Sequence, residues 1–122
     1  MSGTDLFREP ILVTGATGFI GRHLVRRLLS EGAHVRALVL PGEPTPTEWE
    51  AAVEIVRGDI RDPEAAKAAA PGCQLVFHLA AVVGDWGPEE LFRQVTIDGT
   101  RYLFDAAVEA KARVVLASSI VV

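Results

Sequence analysis

Three glycines at equal three-residue steps, Gly15, Gly18 and Gly21, constrain this chain more than any other feature. They lie in Val13-Thr14-Gly15-Ala16-Thr17-Gly18-Phe19-Ile20-Gly21, entered by the apolar run Ile11-Leu12-Val13 and left by a helical pattern. A chain of this kind turns sharply from a buried strand into a helix and leaves the helix N-terminus open. Free N–H groups and the positive end of the helix dipole then face an incoming anion. Gly15 permits the tight turn, Gly18 a close approach of backbone to a pyrophosphate, and Gly21 close packing of helix on strand. The spacing is G-x-x-G-x-x-G, not the G-x-G-x-x-G of the better-known dinucleotide fingerprint. The context that such a motif demands, a strand before it and a helix and second strand after it, is present. The pattern points to a nucleotide site; a Gly-rich turn in another α/β protein is the alternative.

The following helix carries Ile20, Leu24, Val25, Leu28 and Leu29 on one face and Arg22, His23, Arg26 and Arg27 on the other, a 3.6-residue period. Gly32 closes it. Arg22 and His23 lie in the first turn; His23 reads as part of a solvated face, and Arg22 equally as that or as a phosphate contact. Beyond it the spacing predicts a strand over 35–40, a loop with three prolines at Pro41, Pro44 and Pro46, and a short helix over 47–52 capped by Thr47. A third strand over 53–56 follows, then a helix opened by Pro63 and stopped by Pro71-Gly72, and an apolar fourth strand over 75–81. The longest helix is expected over 88–110, with Leu91, Val95, Tyr102 and Ala106 as a stripe, and a fifth strand over 114–118. Gly99 interrupts that helix at a cost of about 1 kcal/mol against alanine, which a close backbone contact accounts for.

Five alternations of strand and helix specify an α/β fold: a Rossmann-like doubly wound parallel sheet with right-handed crossovers and strand order 3-2-1-4-5. The ligand cleft of such a sheet lies at the carboxyl ends of strands one and four, where the order reverses. The 122 residues are 49% hydrophobic, enough for the core of one domain, expected over 11–122 behind a frayed leader over 1–10. That leader has no apolar h-region, so no signal peptide is read from it, and no run approaches a membrane span. A net charge of −4 leaves no basic footprint for nucleic acid or anionic membrane. The lone Cys73 excludes an internal disulfide, fits a reducing compartment and reads as a small buried residue; cytoplasmic location is expected, and no metal site.

Four features, taken in order, resemble the extended, NAD-dependent epimerase/dehydratase-like branch of the short-chain dehydrogenase/reductase superfamily. They are Thr14-Gly15-x-x-Gly18-x-x-Gly21, Gly58-Asp59-Ile60-Arg61-Asp62, His78-Leu79-Ala80-Ala81, and Asp98-Gly99-Thr100 leading to Ala117-Ser118-Ser119. The resemblance runs from Ile11 to Val122. It implies that Phe19 and Ile20 sit at the pyrophosphate, that Asp59 accepts from the adenine amino group with Ile60 against the ring, and that the Leu79, Ala80 and Ala81 backbone lines the cofactor with Val83 just beyond. It also implies that Ser119 orients the reacting substrate oxygen. Bland roles stand beside these: strand-end turn residue for Asp59, ordinary strand-end hydroxyls for Ser118 and Ser119, and a satisfied core histidine for His78. The stretch Val82-Val83-Gly84-Asp85-Trp86-Gly87 resembles 3β-hydroxysteroid dehydrogenase-like members, although Trp86 can equally pack a wall and Asp85 cap a helix.

The chain departs from the family in ways that bear on function. Catalysis in the family needs a Tyr-x-x-x-Lys pair on the helix after strand five, in which the ammonium favours the phenolate. The single tyrosine here, Tyr102, is followed four residues later by Ala106, and the lysines are Lys67 and Lys111. The chain is therefore expected to be the N-terminal part of an enzyme, an incomplete domain without turnover of its own. It is also expected to expose strand five as an edge that invites self-association. NAD-binding relatives place an acid at the end of strand two, about 20 residues past the glycines. Here Val39, Leu40 and Pro41 stand there, with Arg22 and Arg36 as possible partners of a 2′-phosphate, so NAD and NADP both stay open. Thr96 stands where an asparagine is usual. The substrate class is open among sugar nucleotides, sterols and small carbonyl compounds. The function expected is the NAD(P)-binding part of an oxidoreductase or epimerase/dehydratase. A non-catalytic nucleotide sensor, or a fold fragment that pairs through its strand edge, is the alternative.

Overall fold

The computed structural model describes residues 8–79 and 89–117. Ala80, Ala81, Val83, Asp85, Trp86, Ser118 and Ser119 lie outside the described residues. The elements run β1 (Ile11–Thr14), α1 (Phe19–Ser30), β2 (Val35–Val39), β3 (Val53–Arg57), α2 (Pro63–Ala69), β4 (Leu75–His78), α3 (Glu89–Phe92), α4 (Gly99–Ala110) and β5 (Arg113–Leu116). The five strands form one sheet in the order β3-β2-β1-β4-β5, and every pair is parallel. This is the expected Rossmann-like order. The register aligns Thr14, the last residue of β1, with Leu38 on one side and His78 on the other.

Alternation along the strands builds two cores, one on each face of the sheet. Ile11, Val13, Val35 and Ala37 face α1, where Val25 and Leu28 are buried against them. Leu12, Leu38 and Val76 face α2 and α4, meeting Ala66, Ala69 and Leu103. Strands buried on both faces need apolar residues at successive positions, which is why β1 reads as an unbroken run. The alanines of α2 have a packing reason too. Ala66 and Ala69 are fully buried, and their small side chains let α2 and α4 approach each other over the sheet.

Several boundaries differ from the sequence expectation. β2 stops at Val39 because Leu40 enters a turn with Pro41, and β3 runs one residue further, to Arg57. The helix expected over 47–52 is a single 3-10 turn, Thr47–Trp49, whose N-cap position belongs to Pro46, so Thr47 caps nothing. Burial of Trp49 in the α1-side core, at 3% exposure, sets this segment's position more than helix propensity does. β4 leaves the ladder after His78. The long helix is interrupted by a π-helical segment, Arg93–Asp98, between α3 and α4. Gly99 explains the join: a Cβ there would lie 3.0 Å from Ile60 Cγ1 and 3.1 Å from the Ile60 carbonyl oxygen, the close contact its presence predicts. Ile20, placed on the buried stripe of α1 by periodicity, is 64% exposed. Gly21 takes the inward position in that turn.

Candidate functional site

The glycine turn is built as a close-packed cradle. Gly15 has φ +67, a conformation that side chains with a Cβ resist. A Cβ on Gly21 would fall 2.1 Å from the Gly15 carbonyl oxygen and 2.7 Å from Ala16 Cα, so α1 can start this close to β1 only with glycine there. Gly18 is the N-cap of α1, and no side chain caps the helix or places an acid in its first turn. The first-turn N–H groups, which have no partner within the helix, therefore remain available to an anion. Arg22 stands beside them and donates from Nε to the Thr17 carbonyl at 2.8 Å. Phe19 is 81% exposed at the same end, with the His23 ring edge-on to it at 4.7 Å.

Next to this turn a cavity of about 530 Å³ opens over the carboxyl ends of β1, β2 and β3. Gly15, Thr17, Leu38, Glu43, Asp59 and Ile60 are among its walls, and Leu91 and Val95 close it from α3 and the π-helical segment. The sheet, not the sequence, brings these residues together, since β3 and β1 are two strands apart in the order. Asp59 is held firmly. Its carboxylate accepts from Arg61 Nη2 at 2.6 Å, from Arg61 Nε at 3.0 Å and from the Arg61 backbone N–H at 2.9 Å. The hydrogen bond from the Arg61 side chain lowers the Asp59 pKa, so the group stays an ionised acceptor. Ile60 is 7% exposed, wedged between the cavity and Gly99.

A buried polar bridge underlies the site. His78 Nδ1 lies 2.7 Å from Thr14 Oγ1, and His78 Nε2 lies 2.9 Å from Thr100 Oγ1. Leu79 N–H donates to Thr14 Oγ1 at 3.1 Å and to the Thr14 carbonyl at 3.2 Å. Burial pushes the His78 pKa down to about 4, so the ring is neutral, with one nitrogen donating and the other accepting. The bridge ties the ends of β1 and β4 to the start of α4.

Of the residues expected at the site, the structure brings Gly15, Asp59 and Ile60 to one cavity and sets Gly18, Phe19, Ile20, Gly21 and Arg22 at the adjoining start of α1. Leu79 follows β4 and is not among the cavity walls, and its N–H is already bonded to Thr14. Ala80, Ala81, Val83 and Ser119 fall outside the described residues. Arg36 is no phosphate partner. Its Nη1 donates to the carbonyls of Ala69 and Pro71, both at 2.7 Å, at the amino end of the sheet, and its Nε pairs with Glu54 at 3.1 Å. Cys73 is 2% exposed beneath it, and burial raises its thiol pKa, as suits an inert core residue. Thr17, Leu38, Glu43 and Arg61 had no assigned role in the sequence; for Glu43 the signal was Pro41-Gly42, a turn signature that redirects the chain.

The donor set fits a dinucleotide. An uncapped helix N-terminus and Arg22 suit the pyrophosphate, the apolar Leu38 and Ile60 suit a ring, and Asp59 suits an amino group. The model of a family described as "NAD dependent epimerase/dehydratase family" matches residues 11–122. Ceramide reductase of Caulobacter vibrioides is 39% identical over 113 residues, covering 93% of this chain and 35% of that protein. Cinnamoyl-CoA reductase 1 of Arabidopsis thaliana is 40% identical over 120 residues, covering 92% and 34%. A crystal structure of a short-chain dehydrogenase/reductase superfamily protein from Agrobacterium tumefaciens with bound NAD is similar at a TM-score of 0.76 and 36% identity, over 90% of this chain and 32% of that one. The chain thus spans about a third of the length of these relatives.

Proposed function

The chain belongs to the NAD dependent epimerase/dehydratase family and carries its Rossmann-like unit, and from that premise we propose that residues 11–122 are the cofactor-binding part of an NAD(P)-dependent oxidoreductase or epimerase. One observation carries the proposal: the uncapped N-terminus of α1 and the cavity with Asp59 and Ile60 are contiguous at the carboxyl end of the sheet. The first-turn N–H groups of Phe19, Ile20 and Gly21 hold the pyrophosphate, with Gly15 and Gly18 keeping the approach open and Arg22 adding charge. Asp59 accepts from the adenine amino group and Ile60 supports the ring. By resemblance, the backbone of Leu79, Ala80 and Ala81, with Val83, continues along the cofactor, and Ser119 orients the substrate oxygen. When bound, the cofactor supplies hydride chemistry at its nicotinamide.

The whole protein acts on a carbonyl or carbinol centre, a reading supported by the reductase names of two relatives. The 122-residue chain turns over no substrate alone, because it carries no Tyr-x-x-x-Lys pair: its one tyrosine, Tyr102, lies on α4, ahead of β5, and is followed four residues later by Ala106. No helix among the described residues is long and apolar enough to cross a membrane; a cytoplasmic protein is proposed on that and on the lone cysteine. Self-association through β5 is proposed on the exposure of Val115 and Leu116.

Thermal melting tests the cofactor reading. NADH or NADPH at about 100 times its Kd is expected to raise Tm by about 10 °C, since ligand bound only to the folded state stabilises it. No shift with either would contradict it.

A further inference from the structure

A second carboxylate reaches the cavity from an unexpected place. After β2 ends at Val39, Leu40-Pro41-Gly42-Glu43 makes a tight turn. Glu43 N–H donates to the Leu40 carbonyl at 3.1 Å, and Gly42 has φ +79. That is a type II turn, with proline at its second position and glycine at its third. Arg57, the last residue of β3, fixes the turn: its Nη1 donates to the Leu40 carbonyl at 3.1 Å and to the Glu43 carbonyl at 2.6 Å. The chain is thereby carried back across the end of the sheet. Glu43 Oε1 accepts a hydrogen bond from the Thr17 hydroxyl in the glycine turn and lines the same cavity as Gly15 and Asp59.

We propose that Glu43 is the cofactor-selecting residue of this chain, accepting hydrogen bonds from the adenosine ribose hydroxyls and turning away a 2′-phosphate, so that the site prefers NAD to NADP. The inference rests on the dinucleotide reading above and decides the choice that reading leaves open. Three observations support it. Thr17 and Glu43 line the cavity together with Ile60 beside the start of α1, the stretch a ribose has to cross if the pyrophosphate lies on α1 and the adenine on Ile60. An ionised carboxylate only accepts hydrogen bonds, which suits a diol; a phosphate there would face the charges of both Glu43 and Asp59. Finally, the guanidinium groups near the cavity are already engaged: Arg61 with Asp59, Arg57 with the two turn carbonyls, and Arg22 with the Thr17 carbonyl. The acid that the end of β2 lacks is supplied four residues beyond it by the turn.

Titration of NADH and NADPH by nicotinamide fluorescence tests this in the wild-type chain, Glu43→Gln, Glu43→Arg and Glu48→Gln, the last an exposed residue of the 3-10 turn that is not among the cavity walls. The wild type is expected to bind NADH at least about tenfold more tightly, the worth of a charge-assisted hydrogen bond. Glu43→Gln should narrow that ratio to within about threefold by removing the charge while keeping the shape. Glu43→Arg should favour NADPH, and Glu48→Gln should keep the wild-type ratio. Equal affinity of the wild type for both cofactors, or an unchanged ratio in both Glu43 variants, would overturn the inference and leave dinucleotide binding standing. Binding of neither cofactor by the wild type would overturn both.

Discussion

His78 sits at 1% exposure between two threonine hydroxyls, one 64 residues and one 22 residues away in sequence. Its folded pKa, about 4, lies below the ordinary 6.5. Above pH 6.5 the ring is neutral in both states, and its contribution to stability is complete. As pH falls from 6.5 through 4, the unfolded chain takes up a proton that the folded chain refuses, so stability falls with it. The expected loss is about 3 kcal/mol by the time pH is below about 4. The Asp59 and Glu90 carboxyls, held below their ordinary values of 3.8 and 4.5 by the hydrogen bonds from Arg61 and Arg93, add a loss of their own that sets in as pH falls through those ordinary values. Urea midpoints at pH 7, 5.5 and 4 check this, with a His78→Gln variant that should flatten the slope. A wild-type midpoint unchanged across that range would contradict it. The sequence disclosed that His78 belongs to the core, because it lies within the apolar run read as a strand over 75–81. Its partners depend on which strands become neighbours, and so does the position of Glu43, which a proline-glycine turn redirects.

The element that decides function is the turn into α1, and Gly18 and Gly21 play separable parts in it. Any side chain on Gly21 collides with backbone, so its replacement would damage the fold and binding together. At Gly18 the φ of −72 and ψ of 175 suit any residue, and a Cβ would approach only the Gly15 carbonyl oxygen, at 3.4 Å. Aspartate is moreover a preferred N-cap, worth a few tenths of a kcal/mol over glycine. Gly18→Asp is therefore expected to melt no lower than the wild type while placing a carboxylate on the N–H groups proposed for the pyrophosphate. A fall of several degrees in Tm would contradict this account of the helix end. The strand and helix periods were legible at this scale because burial on both sheet faces imposes them. The 3-10 turn at Trp49 and the π-helical segment before Gly99 were not, since one buried indole and one contact with Ile60 are long-range facts.

For the whole molecule, strand order followed from five strand–helix alternations and the glycine turn, and the structure has that order. The cleft was expected at the ends of β1 and β4; the described cavity covers the β1–β2–β3 side, and the segment after Leu79 lies outside the described residues. β5 is an edge of the described sheet, with Val115 at 45% and Leu116 at 50% exposure, and an apolar edge templates pairing with a second copy. Val115→Lys is expected to shift the chain toward monomer in sedimentation velocity at high concentration. A wild type that is already monomeric there would contradict the proposed pairing. The central claim, that the N-terminus of α1 is a pyrophosphate site, is tested most directly by calorimetric titration of NADH into the wild type and Gly18→Asp. The account predicts saturable one-to-one binding to the wild type and none to an equally well folded Gly18→Asp. Equal binding to both would contradict it.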